Sequence, residues 1–385
     1  MSKIILVNQV TGPLFIDMAN YYAETYSDVV LFTGKIEKTG ASLHHKITIQ
    51  KGIAYNRNNP LKRIFTWLVF TFQAYVFLKK QQQQADVLLV SNPPLAPLLP
   101  VYLKRKKNLC FHTLIYDIYP ELLFKLGYLN KSSFIVKWWE KKNRESFQLS
   151  KNLFTITDGM KEVLSRYTPE VKWKVVYPWV DTSFIQPIPK KDNPFIAKYK
   201  LEGKTIIQYS GNMGASHDLM TLLKVAEQLQ ENSRYVFLMI GDGTQKKNLE
   251  AFVQKQELKN VLFLPFQDKE TFPFSLAAAD IGVVSLTDEA SQMAIPSKTF
   301  YQMAAGNAIL AITNLDSELG KIVKENKCGF VFSPGKDGDI VRVLRKTTAA
   351  EFLELQNKAL QTCAKYDVNN VSKFKISKDE NFTSE

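Results

Sequence analysis

Short apolar runs of strand length, separated by stretches of helical pattern, pass through this chain in two successive series. The first reads KIILVNQ from residue 3, DVVLFTG (28–34), DVLLVSNPP (86–94), LCFHTLIYDIYPE (109–121), NLFTITDGM (152–160) and WKVVYPWVD (173–181). After QPIPKKDNPFIAKYKLEGK (186–204) the series restarts with TIIQYSGNMG (205–214), YVFLMIGDG (235–243), VLFLPF (261–266), ADIGVVSL (279–286), AILAIT (308–313) and CGFVFSP (328–334). Helical patterns fall between the runs, at 131–150, 218–230, 245–256, 271–278, 298–305 and 317–326. Such alternation predicts parallel sheets of βαβ units. The expected fold class is α/β, with two Rossmann-like, doubly wound domains at 1–185 and 203–350. The stretch 186–202 reads as a linker, and 351–385 as a C-terminal helix with a polar tail that frays from about 374. In open α/β sheets ligands bind at the carboxyl ends of strands. Function therefore belongs in the loops that follow strands.

Composition narrows the partners. A 45% hydrophobic and 23% charged chain of 385 residues excludes global disorder. The formal charge of +13 suits an anionic partner such as a phosphorylated small molecule, nucleic acid or an acidic membrane face, or reflects only a basic proteome. No nucleic-acid-binding motif accompanies it. Cys110, Cys328 and Cys363 are far apart and form no CxxC pair or His/Cys cluster, so no zinc site or disulfide is expected, and a reducing cytosol fits. The N-terminus MSKIILVNQV lacks the apolar stretch of a signal peptide. The most apolar segment, IFTWLVFTFQAYVFL (64–78), is shorter than the roughly 20 residues of a spanning helix. Flanked by Lys62, Arg63, Lys79 and Lys80, it reads as a buried helix or as one leaning on a membrane surface.

Three loops of the second series carry chemistry. In YSGNMGASHDL (209–219), Gly211 and Gly214 allow a tight turn whose N–H groups hold phosphate oxygens, or simply an ordinary strand-to-helix turn. In IGDGTQ (240–245), Gly241, Asp242 and Gly243 form a second turn. Lys246 stands where a dinucleotide fingerprint needs its third glycine, and no P-loop motif is present. In IPSKTFYQMAAG (295–306), Pro296 presets the helix start and Ser297 is suited to cap it. Lys298 then lies where the helix dipole repels cations, an arrangement suited to a shared anion such as a diphosphate, or to a lysine bending into solvent. In the first series, Gly12 of VNQVTGPLF leaves room for a ligand. Asp117 and Glu121 of YDIYPE form a pair able to position a sugar hydroxyl or move a proton, or to cap a helix. His112 lies in an apolar run and reads as a satisfied core histidine.

In order and spacing, SGNMG, GDG, VLFLPF, AADIGVVSL and PSK…MAAG resemble family 4 glycosyltransferases with the GT-B fold. NQVTGP, YDIYPE, TITDGM and YPWVDTSFIQP resemble the WbuB-like branch of bacterial surface-polysaccharide synthesis, so that the likeness spans about 4 to 350. The resemblance implies two Rossmann-like domains facing an interdomain cleft, with a nucleotide-sugar donor, a UDP-sugar favoured, on the C-terminal one. It implies a hexosyl- or N-acetylhexosaminyltransferase acting in capsule or O-antigen synthesis, with retention and without metal or other cofactor. The acceptor is a saccharide on a polyprenyl diphosphate, at an anionic membrane surface on the inner face of the cell membrane. Residue by residue, it places Gly211, Asn212 and Gly214 by the donor phosphates or sugar, and Lys298 and Ser297 on the diphosphate. Gly241, Asp242, Gly243, Pro265 and Phe266 flank the base. Gly12 sits under the donor, and Asp117 contacts the reacting sugars. A nucleotide-sugar epimerase or a silent nucleotide-sugar binder are the alternatives.

The chain departs from the family in two places. The family's E-x7-E pair is replaced: Tyr301 stands at the ribose-binding glutamate and Met293 at the first. His217 and Asp218 follow the SGN loop where Arg and Lys are usual. Glu318 of DSELG opens the next helix and is the expected substitute for the ribose contact, or a carboxylate placed there by the helix dipole.

Overall fold

The structure, a computed structural model, describes residues 2–37, 42–56, 59–125, 127–291 and 295–376. The chain divides into two compact units. One is Met1–Tyr177, to which the chain returns from Asn369, and the other is Pro178–Val368.

The first unit holds β1 (Lys3–Val7), β2 (Val10–Thr11), β3 (Asp28–Thr33), β4 (Lys35–Ile36), β5 (Ile47–Lys51), β6 (Ala85–Val90), β7 (Leu109–Ile115), β8 (Ser150–Thr155) and β9 (Trp173–Val175). Seven of these form one parallel sheet in the order β5-β3-β1-β6-β7-β8-β9, and β2 pairs with β4 apart from it. The second unit holds β10 (Thr205–Ser210), β11 (Tyr235–Ile240), β12 (Val261–Leu264), β13 (Ile281–Ser285), β14 (Ala308–Ile312) and β15 (Gly329–Phe332), all parallel, in the order β12-β11-β10-β13-β14-β15. Both sheets reverse strand order beside their first strand, which is the doubly wound pattern.

Strand alternation explains why these runs are apolar throughout. In the second unit Ile207, Phe237, Met239 and Val283 enter one core, while Ile206, Leu238, Ile240 and Leu264 enter another. Successive side chains point to opposite faces, and both faces are covered.

Four features differ from the sequence reading, each for a physical reason. β5 was not expected, because it is an edge strand with four of five residues exposed and no apolar signature. The stretch 186–202 is no free linker: the helix Pro194–Tyr199 places Phe195 and Ile196 in the core with Ile206 and Leu238. The tail is anchored as far as it is described, since Phe374 and Ile376 are buried and the Phe374 carbonyl accepts from the Tyr22 hydroxyl at 2.8 Å. Residues 377–385 lie outside the described residues.

The fourth concerns the apolar segment. It forms a 20-residue helix, Pro60–Lys79, started four residues early by the Asn59 side chain, which accepts from the N–H of Leu61 and Lys62. Among the described residues this is the one helix long and apolar enough to cross a membrane by length and composition. Yet Thr66, Phe70, Ala74 and Leu78, spaced i, i+4, form a stripe buried against the sheet. The opposite stripe, Leu61, Phe65, Leu68 and Phe72, is exposed. The helix is thus neither fully buried nor free of the protein.

Candidate functional site

The loops after β10, β11 and β12 are stitched together at the carboxyl edge of the second sheet. Gly211 N–H donates to the Ile240 carbonyl at 2.9 Å, Met213 N–H to the Asp242 carbonyl at 2.8 Å, and Gly241 N–H to the Leu264 carbonyl at 2.9 Å. The turns touch backbone to backbone. A Cβ on Gly241 would lie 2.0 Å from the Gly211 carbonyl oxygen, and both residues have positive φ. The N–H groups of Gly211 and Met213 are therefore committed within the loop system. Among the described residues, those of Asn212 and Gly214 make no backbone hydrogen bond. Asn212 is exposed, Gly214 is buried, and Asp242 is exposed with Oδ1 accepting from Gly243 N–H at 2.8 Å. Pro265 and Phe266 follow β12 on the same edge, and the Phe266 ring is 59% exposed.

Lys298 reaches this loop system from the helix Lys298–Ala304. Its Nζ donates to the Tyr209 hydroxyl at 2.7 Å, lies 4.1 Å from the Tyr209 ring centroid, and would be 2.8 Å from a Cβ on Gly211. Tyr209 in turn donates to the Asn212 carbonyl at 2.6 Å. Among the described residues no carboxylate pairs with Lys298, and burial pulls its ammonium down to about 7. The helix is fixed behind it by Gln302, which packs on Gly282 of β13 where any Cβ would collide, and by Asn307, which donates to Gln302 Oε1 at 2.5 Å. Ser297 does not cap this helix: it is exposed, already helical, and its hydroxyl makes no capping bond.

His217 adjoins the same cluster, its ring 6.0 Å from that of Tyr209 and its Nδ1 2.7 Å from the Ser285 carbonyl. Burial first, then the Lys298 charge, lowers its pKa, so the ring is neutral at pH 7. Sequence reasoning missed both Tyr209 and His217. The tyrosine looks like any apolar strand residue, and nothing in the sequence pairs His217 with Lys298. Glu318 opens the helix Glu318–Glu325 after β14, on the same sheet edge, capped by Ser317. It takes no part in the hydrogen bonds of Lys298. Tyr301 packs edge-on to Phe272, and Met293 lies outside the described residues.

In the first unit, Gly12 precedes the helix Pro13–Thr25, and a Cβ there would meet the Glu37 carboxylate at 3.2 Å. Asp117 follows β7 on the carboxyl edge, where its N–H and that of Tyr116 donate to Ser91 Oγ at 3.1 and 2.9 Å. Its side chain is open to solvent on one side, yet the crowded protein around it desolvates the carboxyl and raises its pKa. Glu121, its expected partner, makes its described hydrogen bond elsewhere. Glu121 is buried and accepts from the Tyr167 hydroxyl, as a core acid.

Spatially, a cluster absent from the sequence spacing does form: Asp86, Cys110 and His112 bring their ligand atoms within 4.8 Å of one another. Strand register causes it, setting Asp86 opposite Cys110 and Leu88 opposite His112. The cluster is satisfied internally. Lys174 Nζ donates to Asn152 Oδ1, Asn152 Nδ2 to His112 Nδ1, His112 Nε2 to Asp86, and Tyr26 to Asp86. With Nε2 carrying the proton and burial lowering its pKa, His112 is the neutral core histidine expected from the sequence.

Residues 191–365 match the family described as Glycosyl transferases group 1. A curated relative, "Probable glycosyltransferase WbjE" of Pseudomonas aeruginosa, is 25% identical over 303 residues, 77% of this chain and 75% of that one. "Putative colanic acid biosynthesis glycosyl transferase WcaI" of Escherichia coli (strain K12) is 30% identical over 121 residues, 31% of this chain and 30% of that one. Among solved structures, Anabaena Alr3699/HepE in complex with UDP-glucose is similar with a TM-score of 0.68 at 14% identity, covering 97% of this chain and 98% of that one. Residues 191–365 are thus a glycosyl transferases group 1 domain, and the chain has the GT-B fold.

Proposed function

We propose that this protein transfers a sugar from a nucleotide-diphosphate sugar to a lipid-linked saccharide in surface-polysaccharide synthesis, with a UDP-sugar as donor. The observation that carries the reading is Lys298: a cation without a carboxylate partner, desolvated, and held against the glycine turns at the carboxyl edge of the sheet. Breaking the sugar–phosphate bond builds charge on the departing diphosphate. Lys298, with the N–H groups of Asn212 and Gly214, is arranged to stabilise that charge. The leaving phosphate then takes the acceptor proton, with retention at the anomeric carbon and no metal needed. The exposed Phe266 ring offers a stacking surface for the base. Glu318 is proposed for the ribose, and Asp117 for the reacting sugars.

The polysaccharide role rests on the likeness to the colanic acid biosynthesis glycosyl transferase, and the membrane-bound acceptor on the helix Pro60–Lys79. Its exposed apolar stripe, with Lys62, Arg63, Lys79 and Lys80 at its ends, suits the headgroup layer of an anionic membrane. The decisive experiment is calorimetric titration with UDP-, GDP-, ADP- and dTDP-sugars, followed by transfer from the one that binds to a polyprenyl-diphosphate saccharide. Binding by none of the four overturns the donor reading. Binding with release of altered free sugar and no glycoside favours an epimerase.

A further inference from the structure

Beside its exposed stripe, the helix Pro60–Lys79 forms one wall of an apolar groove of 360 Å³ whose other wall is the edge strand β5. The floor is Phe32 with Phe77 stacked on it, ring centroids 5.2 Å apart. Phe72 and Val76 rise on the helix side, and Gln73 Oε1 accepts from Ile53 N–H at 2.8 Å, pinning the helix to the chain just after β5. Lys51 and Lys80 stand at the rim, both exposed and, among the described residues, without an ion-pair partner. No carboxylate lines the groove.

We infer that this groove takes one acyl chain of an anionic membrane phospholipid, with its phosphate on Lys51 and Lys80. The inference rests on the membrane-docking reading above and makes it specific. Two observations select this occupant. The groove is continuous with the exposed stripe through Phe72, so its contents lie in the layer that Leu61, Phe65, Leu68 and Phe72 enter. The rim carries positive charge only, complementary to a phosphate above an apolar slot.

The test incubates the full chain with vesicles of dioleoylphosphatidylglycerol or of dioleoylphosphatidylcholine, extracts it in mild detergent, and counts retained lipid by native mass spectrometry. The wild type is expected to keep one phosphatidylglycerol and at least tenfold less phosphatidylcholine. Val76→Trp, which fills the slot, and the surface pair Lys51→Glu/Lys80→Glu, which leaves packing intact, are each expected to lose that lipid at least tenfold. Val76→Trp should still cosediment with anionic vesicles. Retention unchanged in both variants overturns the groove while docking stands. Retention from detergent micelles without any vesicle binding overturns docking while the groove stands. Preferential retention of an added polyprenyl phosphate over phosphatidylglycerol overturns the assigned occupant.

Discussion

At the scale of single residues, Lys298 sets function against stability. Its pKa is about 7 in the folded chain, against an ordinary lysine value near 10.4 when unfolded. Between these values the unfolded state binds more protons, so stability attributable to this group rises with pH across that window. Below pH 7 both states are charged and the cost of burial is complete. Lys298→Met is therefore expected to raise Tm at pH 6, with a gain that shrinks toward pH 10; a gain that grows with pH would contradict the sign. Donor binding runs the other way. UDP-glucose, whose diphosphate does not titrate near neutrality, should bind several-fold more weakly at pH 8.5 than at 6.5, because the amine must take up a proton. Burial and the Lys298 charge lower the His217 pKa, which moves its titration away from the upper end of this window. Lys298→Ala should weaken binding by about 2 kcal/mol, the order of a charge-assisted contact, and flatten the profile. In the first unit, Asp117→Asn should lower turnover at least tenfold while leaving the donor Kd within twofold; an unchanged kcat removes Asp117 from the reaction.

At the scale of elements, two helices carry the predictions. The short helix Lys298–Ala304 is placed by a glycine in the strand beneath it. Gly282→Val would drive a side chain into Gln302, costing about 1–3 kcal/mol as overpacking does and shifting Lys298 off Tyr209. A drop in Tm together with weaker UDP-glucose binding is the expected pair of results. The helix Pro60–Lys79 leaves Leu61, Phe65, Leu68 and Phe72 in water, forgoing roughly 1.5–3 kcal/mol for each side chain that a full burial would return. Phe65→Asp with Leu68→Asp should preserve or raise solubility and Tm, since neither residue is in the core, and should abolish sedimentation with anionic vesicles at low salt. Persistent sedimentation at both low and high salt would show that this stripe is not the docking face. Sequence periodicity revealed that the segment is helical and apolar. It did not reveal which of the two stripes packs on the sheet, because Phe and Leu occur in both.

For the whole chain, the first unit is completed by residues 369–376, which follow the entire second unit in sequence. Phe374 is buried against Phe154, and its carbonyl accepts from Tyr22. Phe374→Ala should cost about 3–5 kcal/mol, in the range for emptying a buried aromatic site. In a scan that resolves two transitions, one should move while the UDP-glucose-stabilised one stays in place; a shift of the ligand-stabilised transition would contradict the division into units. By itself, the sequence determined the strand-and-helix alternation, the two doubly wound sheets and the loops at strand ends, because the period and burial of apolar runs are local properties. It also singled out Lys298 and the two glycine turns, since glycine and charge in a turn leave a local trace. Only the tertiary structure set Lys298 over Tyr209 beside His217, withdrew Glu121 into the core, brought Asp86, Cys110 and His112 together and drew the C-terminal residues back to the first unit. Each of those outcomes depends on strand register or on which face of an element is covered. Both are fixed by contacts between residues distant in sequence, and no local pattern records them.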